Sequence, residues 1–167
     1  MFEIEYEKQQ SVSLNVFDSV NTFSSDNSSN RSYPLDHKFF YSSKDVIAPL
    51  SDHEEYDWKV DVNSYKMLYL SYKSLNNKFD VAPEESFIEI DDSKAYYLDV
   101  HIDSTKGIDV IPFVIHYSNG HKTRLTRIVD RNQLLEFQVG EDKCRLTFKI
   151  NGAGNFSIEH INLLILR

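Results

Sequence analysis

Asp99, His101 and Asp103 alternate with apolar residues in Ala95-Tyr96-Tyr97-Leu98-Asp99-Val100-His101-Ile102-Asp103. In an extended strand this spacing puts carboxylate, imidazole and carboxylate on one face, each about 6–7 Å from the next. Such a row has the chemistry for half of an acid/base site, or for a metal once a neighbouring strand adds ligands. A solvated sheet face accounts for the same pattern, because alternation alone demands polar residues there. No nucleophile accompanies the row. Gly-x-Ser-x-Gly is absent, no Ser/His/Asp order can be defended, and Cys144 alternates with Leu146 and Phe148 on an inward face, where a thiol is inert. His116, His121 and His160 lack the HxxxH or HExxH spacing of metal ligands. His160 shares strand parity with Phe156, Ile158, Leu164 and Leu166, which predicts a partly buried, hydrogen-bonded imidazole. The chain is therefore expected not to be an enzyme. Asp52–Glu55 and Asp91-Asp92 offer oxygen donors for a structural calcium, without the ordered spacing of an EF-hand loop. No other cofactor is implied.

The second candidate chemistry is aromatic. The chain holds ten Tyr, eleven Phe and one Trp. An exposed ring stacks on the apolar C–H face of a sugar while nearby carboxylates, amides or cations bond its hydroxyls. Trp58, with Tyr56 and Tyr65 close by in sequence, is the candidate platform for such a ligand, and Asp99 and His101 are the candidate polar partners. The competing explanation for each ring is the hydrophobic core.

Strands must position these groups. Residues 95–103 alternate cleanly, with Tyr96, Leu98, Val100 and Ile102 opposite Tyr97, Asp99, His101 and Asp103. After a turn at Thr105-Lys106-Gly107, Asp109–Tyr117 sets Ile111, Phe113, Ile115 and Tyr117 on one side and Val110, Pro112, Val114 and His116 on the other. Both faces of that strand are expected to be covered, with Pro112 marking an edge or a bulge. Asn119-Gly120 is the strongest hairpin signal in the chain, since a type I′ turn needs positive φ at both central residues. Leu134–Val139 and Cys144–Ile150 read as a further pair joined through Gly140, with Cys144, Leu146, Phe148 and Ile150 inward and Arg145, Thr147 and Lys149 outward. The final strand, Phe156–Leu166, follows Asn151-Gly152-Ala153-Gly154-Asn155, a turn that lacks the Lys-Ser/Thr ending of a phosphate loop. Nearer the amino terminus, 2–7 and 12–17 form an expected hairpin, strands are expected at 57–62 and 87–90, and 67–72 reads as a strand or one buried helical turn, with its Tyr and Leu content favouring the strand. Ser24-Ser25-Asp26-Asn27-Ser28-Ser29-Asn30 lies in a Ser/Asn-rich stretch over about 19–32, whose composition predicts a mobile loop. No capped helix-period segment is visible. The expectation is one all-β domain over 1–167, an antiparallel β-sandwich.

Composition narrows the partners. A formal charge of −8 opposes nucleic-acid backbones, which need clustered Lys and Arg. With Cys144 the only cysteine, no intrachain disulfide can form, which suits a reducing compartment. No stretch reaches the roughly 18 apolar residues of a membrane span, and Met1–Glu7 has neither the basic start nor the apolar run of a secretory signal. As written the chain is expected to be soluble and cytoplasmic. Its apolar ending, Leu163-Leu164-Ile165-Leu166-Arg167, also looks like a cut at a domain edge.

The run Arg145-Leu-Thr-Phe-Lys-Ile-Asn-Gly-Ala-Gly-Asn-Phe-Ser-Ile-Glu-His-Ile-Asn-Leu163 resembles the closing strand pair of galactose-binding-like jelly-roll domains. In particular it is similar to the sandwich modules attached to enzymes of bacterial surface polysaccharides, with the likeness strongest over 95–166. The resemblance implies a jelly-roll fold and sugar binding, or the holding of a partner domain or subunit. It assigns no individual binding residue, because in such families these sit in variable loops. Two functions follow as expectations: a non-catalytic carbohydrate-binding or accessory module of a larger polysaccharide-active protein, or a structural, protein-interaction or homo-oligomerising module that uses strand edges or an apolar sheet face.

Overall fold

The computed structural model describes residues 28–42, 47–49, 57–60, 67–129 and 132–166. The expected hairpin at 2–7 and 12–17, the acidic run Asp52–Glu55, Tyr56, Tyr65 and the 19–27 part of the Ser/Asn-rich stretch lie outside the described residues. The strands are β1 (Ser28–Ser32), β2 (Phe40–Ser42), β3 (Ile47–Pro49), β4 (Asp57–Val60), β5 (Leu68–Tyr72), β6 (Ala95–Ser104), β7 (Ile108–Ser118), β8 (His121–Arg127), β9 (Gln133–Leu135), β10 (Lys143–Gly152) and β11 (Gly154–Leu166). One 3-10 helical turn, η1 (His37–Phe39), precedes β2. Among the described residues no helix is long and apolar enough to cross a membrane.

The strands form two antiparallel sheets packed as a sandwich, as alternation predicts. Sheet A runs β3-β4-β11-β6-β9, with β1 also paired to β11, and sheet B runs β2-β5-β10-β7-β8. Between them lie Leu98, Ile158 and Leu163 from sheet A and Leu70, Val114, Leu146, Phe148 and Ile150 from sheet B, all fully buried. At β7–β8 the turn has Asn119 at φ 51° and Gly120 at φ 82°, the type I′ geometry its Asn-Gly predicts. Gly152 is required for a different reason. A Cβ there would stand 2.0 Å from the Gly107 carbonyl oxygen, so the β6–β7 and β10–β11 turns can meet only through glycine.

Several local expectations change. Ser28–Ser32 is a strand, paired with Leu166–Asn162 of β11. Its side chains bring little apolar area, but backbone pairing along an unoccupied stretch of β11 needs none. Residues 87–90 form no strand: Phe87 and Ile88 plug the core from an irregular segment, tied by Phe87 N–H donating to the Cys144 carbonyl at 2.9 Å. The pairing of 134–139 with 144–150 is replaced by a change of sheet. β9 pairs with Tyr96–Leu98 of β6, whereas β10 is central in sheet B between β5 and β7. Pro112 sits within β7, where the carbonyl of Pro112 accepts from Ile128 N–H at 2.9 Å just past the end of β8. Its missing donor therefore faces the point where the β8 ladder runs out. Arg145 and Thr147 point out of the sandwich as expected and are nevertheless buried, at 1% and 2% exposure, because a loop lies over them.

Candidate functional site

The Asp99 row is real, but its membership differs from the linear pattern. A register shift between Ile158 and His160 in the β11–β6 ladder reverses strand parity. Phe156, Ile158, Ile161, Leu163 and Ile165 consequently all face the core, and His160 turns outward beside His101. His160 Nε2 lies 2.6 Å from Asp99 Oδ2, and the His101 and His160 rings stack at 5.6 Å with 24° between planes. Asp99 is buried, and its Oδ1 has no hydrogen-bond partner among the described residues. Asp103 takes no part in the cluster: it is exposed and accepts from its neighbour Ser104 N–H at 3.0 Å. Asn162, held by Ser32 Oγ at 2.8 Å, pairs opposite Asp99 on the same face. Sheet A thus presents an imidazole-carboxylate pair on its outer surface. Among the described residues no three His, Cys, Asp or Glu side chains form a group fit to hold a metal ion. Asp91 is committed to Lys94 Nζ at 2.8 Å and to Ser93 Oγ at 2.6 Å, contacts that pull its carboxyl down to about 2.

Trp58 is core. It is 4% exposed, stacks with Phe156 at 6.3 Å, and meets Phe40 and His37 edge-on at 5.3 and 4.6 Å. A ring enclosed on those sides cannot serve as an open sugar platform. Tyr72 and Tyr96 are also buried, their hydroxyls bonded to backbone groups of Pro34 and of Glu89 and Asp91. Cys144 is fully buried, and burial pushes its thiol up to about 11, where it is neither nucleophile nor ligand at neutral pH.

The most enclosed ionisable cluster lies at Glu141. Its carboxylate accepts from Thr123 Oγ1 at 2.8 Å, from Arg124 Nε and Nη2 and the Gln138 amide at 2.9 Å each, and contacts His116 Nδ1 at 3.2 Å. Burial raises the Glu141 pKa, but the donors from Arg124, Gln138 and Thr123 outweigh it and leave the group lowered. For His116, burial first and then the Arg124 cation lower the imidazole to about 4, against the pull of Glu141. His116 is therefore neutral, bridging Glu141 to Thr126 Oγ1, 2.9 Å from its Nε2. Every strong acceptor site on the carboxylate is used within the protein, so the cluster fastens the β7–β8 hairpin to the 136–141 loop.

A concave site with an apolar floor lies elsewhere, where η1 meets the segments 73–76 and 83–85. Asp36 caps η1 by accepting from Lys38 N–H at 2.9 Å, and its other oxygen lies 2.9 Å from Lys38 Nζ. The Phe39 carbonyl accepts from Lys73 N–H at 2.6 Å. Lys73 adopts φ 47°, a left-handed conformation that a side chain favours only under constraint. Its ammonium is held over the Tyr33 and Tyr72 rings at 5.3 and 5.8 Å. On the opposite wall Lys143 Nζ donates to the Pro83 and Glu84 carbonyls at 3.0 and 2.8 Å. The result is a groove of about 340 Å³ with Phe39, Leu75 and Pro83 as apolar surface and Asn76, Glu84 and Glu85 among its polar groups. Lys73, Asn76, Glu84 and Glu85 were not legible as site residues in the sequence. Asn76-Asn77 and Pro83 mark loops there, but nothing local shows that two loops and η1 converge.

No protein-family model matches the chain, and no curated protein matches it. Its fold is similar to a chain of the glycosylation associate protein (Gap123) complex from Streptococcus agalactiae, with a TM-score of 0.50 and 10% identity. The likeness covers 84% of this chain and 26% of that one, so the chain spans about a quarter of its neighbour's length. At such identity the likeness shows fold alone.

Proposed function

We propose that the chain is a non-catalytic accessory module of a larger glycan-handling protein or assembly, and that it takes a carbohydrate in the groove between Phe39, Lys73 and Glu84. The groove itself carries this reading. A sugar ring has apolar C–H faces and a polar hydroxyl rim, and here an aromatic ring, Leu75 and Pro83 lie beside two carboxylates, an amide and an ammonium. The fold neighbour supports the setting, being a chain of a glycosylation-associated complex. Groups that hold the groove open are satisfied within the protein, so a ligand meets a preformed surface and little ordering cost.

Glycan-array screening followed by calorimetry on the full chain tests the proposal. A hydrogen bond to a charged group contributes about 1.5–3 kcal/mol, so Glu84→Ala is expected to weaken a bound sugar about tenfold or more. Phe39→Ala is expected to do the same through lost stacking. Silence across chemically diverse sugars, or binding indifferent to both substitutions, refutes the reading.

A further inference from the structure

The outer face of sheet B is unusually apolar for a surface whose other side is already packed. Ile111, Phe113, Ile115 and Tyr117 of β7 all point away from the core, where a solvated antiparallel sheet carries polar residues. Part of this face is covered by the chain itself. Residues 73–82 cross it as a strap: Tyr117 Oη donates to the Phe79 carbonyl at 3.0 Å, Ser71 Oγ donates to Asn77 Oδ1 at 2.5 Å, and Phe79 packs edge-on against Tyr69 at 4.9 Å. Under the strap Ile115 and Tyr117 are 1% and 0% exposed. Beyond it, among the described residues, the cover stops. Ile111 and Phe113 are only half-buried, and Leu125, paired across from Ile115, is 46% exposed.

The charge around this uncovered strip runs against that of the whole chain. β8 reads His121-Lys122-Thr123-Arg124-Leu125-Thr126-Arg127, three Lys or Arg and no acid in seven residues within a protein of net charge −8, although Arg124 is paired with Glu141 on the other face. Arg127 is paired opposite Phe113, and Lys149 of β10 is paired opposite Ile111, so both cations flank the strip on its own face. Among the described residues, Asp109 stands two positions before Ile111 on the same face of β7, and Asp80 lies on the strap. β8 is also the last strand of sheet B, with no strand on its far side among the described residues beyond the Val81–His121 bridge.

We infer that this strip of sheet B docks an extended segment of a partner protein whose every second residue, the set that faces the sheet, is by turns apolar and acidic. The strap shows that this face accepts cover, since the irregular segment 73–82 already lies on its neighbouring half and pairs with the edge of β8 at Val81–His121. Apolar side chains of the segment cover Ile111, Phe113 and Leu125, its carboxylates meet Arg127 and Lys149, and its backbone has the open edge of β8 within reach.

The test uses the full chain and a short fluorescent peptide in which every second residue is by turns Glu and Phe or Ile, with Thr between, beside the same peptide with Lys for Glu. Anisotropy is expected to show binding of the acidic peptide alone, weakening several-fold from low to high salt. Arg127→Glu is expected to reduce affinity about tenfold or more. Leu125→Ser, at an exposed position that leaves the fold intact, is expected to reduce it several-fold. Equal binding of both peptides, no binding, or indifference to Arg127→Glu and Leu125→Ser overturns the inference. So does a dimer in light scattering that Leu125→Ser dissolves, since a second copy would then occupy the strip. The same two variants are expected to leave sugar binding at the Phe39 groove unchanged, which keeps the two proposals separable.

Discussion

Arg145 and Asn76 are joined by a guanidinium-to-carbonyl hydrogen bond of 2.5 Å in a place where the arginine is 1% exposed. The same guanidinium donates to Ser74 Oγ at 2.7 Å and to the Val81 and Lys78 carbonyls at 3.3 and 3.4 Å, with its carbon 5.7 Å from the centre of the Phe79 ring. These acceptors come from the strap and not from a carboxylate, so the buried cation is the fastening of that loop. Arg145→Met removes the donors and leaves several buried acceptors unmatched, at about 1–3 kcal/mol each where water cannot reach them. The denaturation midpoint is expected to fall substantially, and backbone amides over 74–82 are expected to lose hydrogen-exchange protection before those of β10. Uniform loss of protection across the sandwich would contradict this role for Arg145.

Acid is expected to weaken the protein through His116. Its pKa is 6.5 without burial and about 4 in the folded state. Between those values the unfolded chain binds a proton that the folded chain refuses, so stability rises with pH over this window and falls on acidification. The slope is at most about 1.4 kcal/mol per pH unit, about 3 kcal/mol in all. Glu141, with its folded pKa lowered, adds a further loss as pH drops through that value. Urea titrations at a series of pH values measure the effect, and His116→Gln is expected to flatten the dependence between pH 6.5 and 4.

Two glycines are expected to respond unequally to alanine. At Gly120, φ is 82° and a Cβ meets nothing within 4 Å, so Gly120→Ala costs only the left-handed backbone, about 1–2 kcal/mol. At Gly152, φ is 87° and the Cβ would collide with the Gly107 carbonyl, so the turns must separate as well. Thermal unfolding is expected to show a clearly larger drop for Gly152→Ala. Equal drops would mean that the two turns do not meet as described.

The His160–Asp99 contact fixes a tautomer. A carboxylate oxygen 2.6 Å from Nε2 makes that nitrogen the one that carries hydrogen in the neutral ring. Long-range proton–nitrogen spectra are expected to show His160 protonated on Nε2, and Asp99→Ala to release this preference while costing about 1–3 kcal/mol. A predominant Nδ1 tautomer in the unmodified protein would contradict the arrangement.

Alternation and turn chemistry were enough to write the sandwich down residue by residue at several points. Tyr96, Leu98 and Val100 face inward, as do Cys144, Leu146, Phe148 and Ile150, and Asn119-Gly120 closes the hairpin. These features depend on neighbours two to four positions away, and period-two geometry turns that local order directly into two faces. The candidate site resisted the same treatment. A single bulge before His160 exchanged the inner and outer faces for the rest of β11 and so built the Asp99–His160–His101 cluster, which the linear pattern distributed differently. Trp58, singled out for its exposed-platform chemistry, is enclosed by Phe40, His37 and Phe156 from three separate elements.

The amino-acid sequence by itself determined that this chain is all-β, where its clearest strands lie and which side chains of each share a face. Tertiary structure alone decided which strands became neighbours, that a loop would bury Arg145, and that η1 and two distant segments would enclose a groove. The reason is physical: side-chain alternation is set by the backbone of one strand, whereas cover and concavity arise only where segments remote in sequence are brought together.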